Sequence, residues 1–94
     1  MTTPRSERMV EVVNRAGIHA RPAAELVKLA GTFDSDVRLE KDGLEVNGKS
    51  IMGVLMLAAE QGSTLRIIAS GLDSQRAVDA LGDVIAGGFP ELQD

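Results

Sequence analysis

The sequence predicts an α+β domain in which three helices cover one face of a four-stranded antiparallel sheet, in the order β-α-β-β-α-β-α. Short β-branched runs alternate with segments of helical spacing, so strands and helices are mixed along the chain. An Asp-Gly pair between two alternating runs predicts one antiparallel hairpin. A length of 94 residues allows one core. A split β-α-β arrangement, in which the last strand lies between the first two, fits a chain of this length.

The first strand is expected at Met9–Val13, a short run rich in valine. Residues 1–8 are polar and have no period, so we expect a flexible tail followed by a single domain over residues 9–94. Apolar residues at helical spacing then predict a helix over residues 20–30, ended by Gly31. Pro22 fits the first turn of this helix, where its missing N–H costs nothing. We favour a helix that starts at Ala20, although proline at the first helical position would make Arg21 the cap.

The middle of the chain predicts a hairpin and a second helix. Val37 and Leu39 alternate with charged residues in a half-buried strand, and residues 44–46 return after the Asp-Gly turn. Ser50 is a suitable cap for a second helix that we expect to run to about Gln61. With Ile51, Val54, Leu55 and Ala58 facing the sheet, Met52 and Met56 would be partly exposed.

The last third of the chain predicts a strand and a helix. Residues 65–69 form an apolar run with strand character. Asp73 or Ser74 can cap a final helix. Its apolar stripe consists of Ala77, Val78, Leu81, Val84 and Ile85.

Composition excludes several classes of function. Ten Lys and Arg against 14 Asp and Glu give a net charge of −4, which argues against nucleic acid as a partner. With no cysteine and one histidine, disulfides, zinc fingers and thiol catalysis are excluded, and we expect no metal and no cofactor. The longest apolar run is residues 51–59, too short to span a bilayer. Nothing resembles a signal peptide, so we expect a cytoplasmic protein without membrane insertion.

His19 stands just before the first helix, two residues ahead of Arg21. The first turn of a helix presents unpaired N–H groups and partial positive charge, which bind anions. That charge disfavours the imidazolium form, and a neutral imidazole keeps a lone pair and is a nucleophile. A phosphoryl group on the ring would face backbone N–H groups and the Arg21 guanidinium. The residues alone leave open the alternative that His19 is an exposed loop residue and Arg21 a solvated charge.

Ser50 and the segment after it allow two interpretations each. Ser50 can be an ordinary helix cap, or a phosphorylation site that places negative charge beside a docking partner. The following helix is apolar almost all round, which indicates either a thick core or a docking surface. Methionine suits surfaces that must fit several partners.

The segments GIHARPAAELV and NGKSIMGVLML, with His19 and Ser50 31 residues apart, resemble the HPr family of phosphocarrier proteins. The resemblance covers Met9 to Phe89. It implies an open-faced β-sandwich and a stoichiometric carrier that is not an enzyme. It also implies phosphorylation of His19 on its pros nitrogen by enzyme I, which draws on phosphoenolpyruvate. The phosphoryl group would then pass to a histidine of an enzyme IIA domain.

The same resemblance assigns further roles. Arg21 matches the arginine that assists phosphoryl transfer. Ser50 matches the serine modified by an ATP-dependent HPr kinase/phosphorylase, a modification that slows histidine phosphorylation and can create a transcriptional co-regulator. Ile51, Met52 and Leu55 match the surface on which partners dock. A carrier that meets partners transiently also favours a monomer.

One departure leaves the branch of the family open. Ala16 stands three residues before His19, where many members of the sugar branch have a small polar side chain. Its absence, together with Asn14-Arg15, favours the nitrogen-related branch. The KSIMG segment instead favours members regulated by the serine kinase. The alternative function is a regulatory binding module in nitrogen or carbon control, in which the state of Ser50 and the second helix act on a partner. A small-ligand sensor ranks lower, because no pocket residues are evident.

Overall fold

A four-stranded antiparallel sheet with three helices on one face forms the protein, as seen in a computed structural model that describes residues 2–92. The chain order is β-α-β-β-α-β-α, as predicted. The strands are β1 (Arg5–Glu11), β2 (Asp36–Lys41), β3 (Leu44–Asn47) and β4 (Thr64–Ser70). The helices are α1 (Ala20–Ala30), α2 (Ile51–Met56) and α3 (Ser74–Ala86).

The strand order in the sheet is β1-β4-β2-β3, which confirms that the last strand lies between the first two. Ile67 at the middle of β4 pairs with Arg8 of β1 on one side and with Leu39 of β2 on the other. The hairpin of β2 and β3 turns at Asp42 and Gly43, both with positive φ, as the Asp-Gly pair predicts.

The first strand begins at Arg5, so the expectation of a tail over residues 1–8 and a domain from residue 9 is wrong for residues 5–8. These residues pair with residues 67–70 of β4 along the edge of the sheet. The Ser6 hydroxyl lies 3.0 Å from the Ser74 hydroxyl, and the Arg8 guanidinium donates to Asp83 of α3 at 2.9 Å. Polar residues suit an edge strand, and for that reason no apolar signal marked this half of β1.

Helix α1 has the predicted bounds and buries Pro22, Ala23, Leu26 and Ala30. Helix α3 is capped by Asp73 and buries most of the predicted stripe, with Val84 half-buried at its margin. Helix α3 packs on β1 and β4, and α1 packs against both α2 and α3. The starts of α1 and α2 are therefore held by one helical layer.

Helix α2 ends at Met56, about five residues earlier than the expected end near Gln61. Ala58 has a φ of 48°, which breaks the helix and leaves its own side chain exposed instead of facing the sheet. Leu57 and Ala59 on either side are buried. Residues 62 and 63 then pair with Val12, which follows β1: Gly62 N donates to Val12 O at 2.7 Å. Burial of two side chains and pairing with the loop before α1 thus outweigh the helical preference of the sequence.

The core lies between the sheet and the helices. The largest side chains within it that are almost fully buried belong to Phe89, Leu26, Leu39, Leu65, Ile67, Leu81 and Ile85. None of the helices within residues 2–92 is long and apolar enough to cross a membrane.

Candidate functional site

His19 is the N-cap of α1, which confirms a helix that starts at Ala20. Its backbone is extended, with φ −88° and ψ −164°, and its carbonyl accepts from Ala23 N at 2.9 Å. The imidazole makes no capping hydrogen bond, and the residue is exposed. Both ring nitrogens are therefore open to chemistry at the end of the helix where anions are favoured.

The loop that carries His19 is fixed by a close approach at Gly17. Ile18 N donates to Ala59 O at 2.9 Å, and Gly17 has a φ of 70°. A Cβ at Gly17 would lie 2.4 Å from Ala59 O, so only glycine allows this contact. The early end of α2 supplies the carbonyl of Ala59, and thus helps to hold the loop before His19.

Asn14 closes the same loop with its side chain. Its Nδ2 donates to Gly17 O at 2.7 Å, while Gly17 N donates to the Asn14 carbonyl at 3.1 Å. Its Oδ1 is shielded from solvent and has no hydrogen-bond partner among the described residues. The sequence pattern gave Asn14 no role at this site.

A narrow cleft beside the imidazole joins the start of α1 to the end of the chain. It is lined by Asn14, His19, Arg21, Pro22, Gly88, Phe89 and Leu92, and its free volume is about 10 Å³. A wider groove of about 540 Å³ continues past residues 14–16 and 87–90. Phe89, buried and with a φ of 59°, turns the chain after α3 so that Leu92 reaches this cleft. The sequence did not predict this side of the cleft, because two glycines after an apolar helical stripe are typical only of a helix end.

Arg21 is exposed and makes no ion pair or hydrogen bond with the described residues. The first turn of α1 contains no acidic residue. The guanidinium is therefore available to an anion at the helix start, and no carboxylate in that turn repels the anion. Within residues 2–92, no three carboxylate or imidazole side chains lie together in a way that could hold a metal ion.

Ser50 is the N-cap of α2, as predicted. Its Oγ accepts from Gly53 N at 3.1 Å, and its own N–H donates to Asn47 O at 3.1 Å. The residue is half-buried, so the hydroxyl lies at the surface of the domain rather than in the core.

An exposed apolar surface follows Ser50, and we call Ile51, Met52, Leu55 and Met56 the α2 patch. Met52 and Met56 are 68% and 64% exposed, as expected. Ile51 is 42% exposed, so the expectation that it faces the sheet is wrong. Only Val54 of α2 is fully buried, because the other side chains of this short helix lie at the margin of the core or face solvent. Leu55 is half-buried against the core.

Comparisons with known proteins agree with this arrangement. The family model described as the PTS HPr component phosphorylation site matches residues 6–87. Phosphocarrier protein HPr of Cupriavidus necator is 47% identical over 85 residues, which cover 90% of this chain and 96% of that protein. HPr-like protein Crh of Halalkalibacterium halodurans is 49% identical over 75 residues, 80% of this chain and 89% of that protein. The crystal structure of HPr-C-His from Thermoanaerobacter tengcongensis has a TM-score of 0.88 at 42% identity, covering 94% and 99% of the two chains.

The sheet order, the helical layer and these matches define a phosphocarrier protein of the phosphotransferase system, a class of carriers that are not catalysts. The chain belongs to the HPr family.

The expectation of a monomer is not supported by these relatives. A second structure from Thermoanaerobacter tengcongensis, 44% identical and with a TM-score of 0.72 over 85% of this chain and 92% of that one, is described as an HPr dimer. The family therefore includes a member that pairs with itself, and membership alone does not fix the oligomeric state.

Proposed function

We propose that His19 accepts a phosphoryl group from phosphoenolpyruvate through enzyme I and passes it to a histidine of an enzyme IIA domain, in the cytoplasm. One observation carries the proposal. The only histidine of the chain caps α1 with its ring free, two residues before an arginine that has no partner among residues 2–92.

The transfer needs a lone pair on the ring nitrogen and a stabilised phosphoryl group. The pros nitrogen, Nδ1, is nearer to the backbone, so a phosphoryl group on it lies close to the N–H groups that open α1. Nδ1 forms the N–P bond as the bond between phosphorus and the donor breaks, and the donor keeps its electron pair. The reverse step cleaves the N–P bond when the acceptor histidine attacks. Arg21 stabilises the phosphoryl oxygens in both directions.

An exposed site suits a carrier better than a closed pocket would. A group that must be received and released at similar cost should not be held by many donors, because tight binding of the ground state slows the next step. The helix start and one guanidinium supply moderate stabilisation, and the exposure of His19 allows two different partners to approach.

We propose that the α2 patch is the docking surface for enzyme I and enzyme IIA. Ile51, Met52 and Leu55 lie on α2, and α2 packs against α1, whose N-cap is His19. Apolar contacts of this kind can anchor a partner beside the ring, and flexible methionine side chains can adapt to more than one surface.

Ser50 is proposed as the regulatory site. An ATP-dependent HPr kinase/phosphorylase would transfer the γ-phosphoryl group to Oγ, with loss of the hydroxyl proton and release of ADP. The modification adds a charge of about −1.5 to −2 directly beside Ile51 and Met52. Desolvating that charge opposes apolar docking, so we expect phosphorylated Ser50 to slow the phosphorylation of His19.

The second candidate is a regulatory binding module in nitrogen or carbon control, in which the α2 patch and the state of Ser50 act on a partner such as a transcriptional regulator. The observation in its favour is the 49% identity to a protein described as HPr-like protein Crh. In this function the chemistry of His19 is secondary, so loss of the imidazole should leave partner binding intact.

Intact-mass spectrometry in neutral buffer tests the first candidate. The protein is mixed with enzyme I, magnesium and phosphoenolpyruvate, and a gain of one phosphoryl group that is lost in acid is expected. His19→Ala should show no gain, whereas Ser50→Ala, the matched control, should gain the group normally. No gain with an enzyme I that phosphorylates another HPr would refute the carrier function and favour the binding module.

A further inference from the structure

Asn14 has one polar atom that the fold leaves unused. Its Nδ2 donates to Gly17 O at 2.7 Å, and this contact fixes the orientation of the amide because a carbonyl oxygen can only accept. Oδ1 must therefore point the other way, where it is shielded from solvent and unpartnered within residues 2–92. A shielded acceptor without a donor costs about 1–3 kcal/mol, so a donor is expected near it in the working state.

The groups around that atom limit what the donor can be. Asn14 lines the narrow cleft with His19 and Arg21, and the remaining lining side chains are apolar. A phosphoryl group cannot be the partner, because its oxygens are acceptors too. The free volume of about 10 Å³ is at the lower limit for one water, so a chain of waters does not fit. Within this cleft, the side chains that can donate are the His19 ring and the Arg21 guanidinium.

We propose that Asn14 is a positioning residue whose Oδ1 accepts the Nε2–H of His19 and so keeps the lone pair on Nδ1. The imidazole has no capping bond of its own, and Asn14 is bonded to the carbonyl only two residues before it. Arg21 and His19 are both exposed, but in the proposed function the Arg21 guanidinium binds the incoming phosphoryl group and is then not available to Asn14.

The same hydrogen bond should strengthen during transfer. When Nδ1 forms the N–P bond, the proton stays on Nε2 and the ring gains positive charge. A positively charged donor makes a hydrogen bond roughly twice as strong as a neutral one. Asn14 would therefore stabilise the transition state more than the resting ring, which is the condition for a faster reaction.

The choice of tautomer can be measured on the protein with ¹⁵N-labelled histidine, because the chain contains a single imidazole. We would record ring nitrogen shifts at about pH 8.5 for the wild type, Asn14→Ala and Asn14→Asp. Both variants lose the donor to Gly17 O, but only the Asp variant keeps an acceptor oxygen. The wild type and Asn14→Asp should carry the proton mainly on Nε2, and Asn14→Ala should lose this preference by roughly fivefold or more.

The tautomer measurement does not depend on phosphoryl transfer, so it tests the role of Asn14 even if the proposed function is wrong. The expected effect of Asn14 on the reaction rate does rest on the proposed function. In the enzyme I reaction, Asn14→Ala should lower kcat about tenfold with little change in KM, and Asn14→Asp should recover part of the loss. Equal tautomer populations in all three proteins would overturn the proposal. In a second sample labelled with ¹⁵N-arginine, a change on replacing Asn14 that is confined to the Arg21 Nε signal would overturn it as well, by assigning Oδ1 to the guanidinium.

Discussion

In the proposed transfer, the two functional side chains at the start of α1 differ in what holds them. His19 is fixed through its backbone, because it caps the helix and follows a loop anchored on Ala59 O. Arg21 is held only by the helix backbone, since its side chain is exposed and unpartnered within the described residues. The nucleophile is thus placed by the fold, while the cation is free to follow the phosphoryl group between partners.

Replacement of Arg21 tests this division. Arg21→Gln should keep the fold and lower kcat/KM for phosphorylation by enzyme I roughly 10- to 100-fold, because charge-assisted hydrogen bonds of about 1.5–3 kcal/mol are lost. Stopped-flow or quench-flow kinetics measure the effect. Arg38→Gln, which removes an exposed guanidinium paired with Asp36 on β2, is the control. Equal rates for both variants would mean that Arg21 does not touch the phosphoryl group.

The sequence predicted His19, Arg21 and Ser50 as site residues because each stands at a helix start with a local signal. It could not find Asn14 or Leu92 as neighbours of His19. The cleft depends on the turn at Phe89 and on how α3 packs against the sheet, and no spacing along the chain contains that information. The residues that carry the proposed chemistry could therefore be predicted from short segments of sequence. The residues that surround them are brought together only by the fold.

Helix α2 is the element that departs most from its sequence pattern. Its apolar run is nine residues long, but the helix covers six and the rest bends inward to bury Leu57 and Ala59. This early end separates two roles that a longer helix would merge. The first turn and a half forms the α2 patch, and the following loop supports His19 through the Ala59 carbonyl.

A lysine in the α2 patch should weaken docking without unfolding the protein. Met52→Lys should raise the Kd for enzyme I roughly tenfold, because a charge would have to be desolvated where an apolar anchor is expected. Leu72→Lys, at a residue that is 96% exposed and outside α2, should bind normally. Titration calorimetry measures both, and thermal unfolding should change little in either. Unchanged affinity for Met52→Lys would place docking elsewhere.

The start of α3 is tied to the loop after α1 by one carboxylate. The Ser35 hydroxyl and the backbone N–H of Asp34 donate to Asp73 and lower the pKa of that carboxyl below its ordinary 3.8. Because Asp73 is needed here as an acceptor, it makes no side-chain capping bond to its own helix. The sequence indicated the cap but not this contact, since its partners lie 38 and 39 residues away.

This carboxylate should contribute to stability in a pH-dependent way. The pKa of Asp73 is lower in the folded than in the unfolded state, so its contribution is complete above about pH 4 and is lost as the pH falls below that value. Asp73→Asn should therefore unfold at lower urea concentration than wild type at pH 7, with the difference shrinking toward pH 2. Leu72→Ala, which removes no titratable group at an exposed site, should show no such trend. A gap between wild type and Asp73→Asn that is constant with pH would contradict the assignment.

For the whole molecule, β4 is the element on which the fold depends. It pairs with β1 and β2, and its inward side chains Leu65 and Ile67 are fully buried. The sequence was sufficient for the element order and the sheet topology, because turns and periodicity are local. It was insufficient for the ends of β1 and α2, where pairing with distant strands and loops decided the boundary.

Shortening one side chain in β4 should weaken the domain as a unit. Ile67→Ala should lower the free energy of unfolding by about 2–5 kcal/mol, through lost burial and a cavity at the centre of the sheet. Leu72→Ala, at an exposed site, should change it by less than about 0.5 kcal/mol. Urea denaturation followed by circular dichroism measures both. A transition in two steps for Ile67→Ala would show that the sheet does not unfold cooperatively.

The central position of β4 also has a consequence for synthesis on the ribosome. β1 leaves the exit tunnel before the other strands, but its partner in the sheet is β4, which ends at Ser70. At translation rates of about 5–20 residues per second, the nascent β1 waits roughly 3–12 seconds for its partner. Because charged side chains disfavour edge-to-edge pairing, Arg5, Glu7 and Arg8 should reduce association of that strand with other nascent chains during the wait.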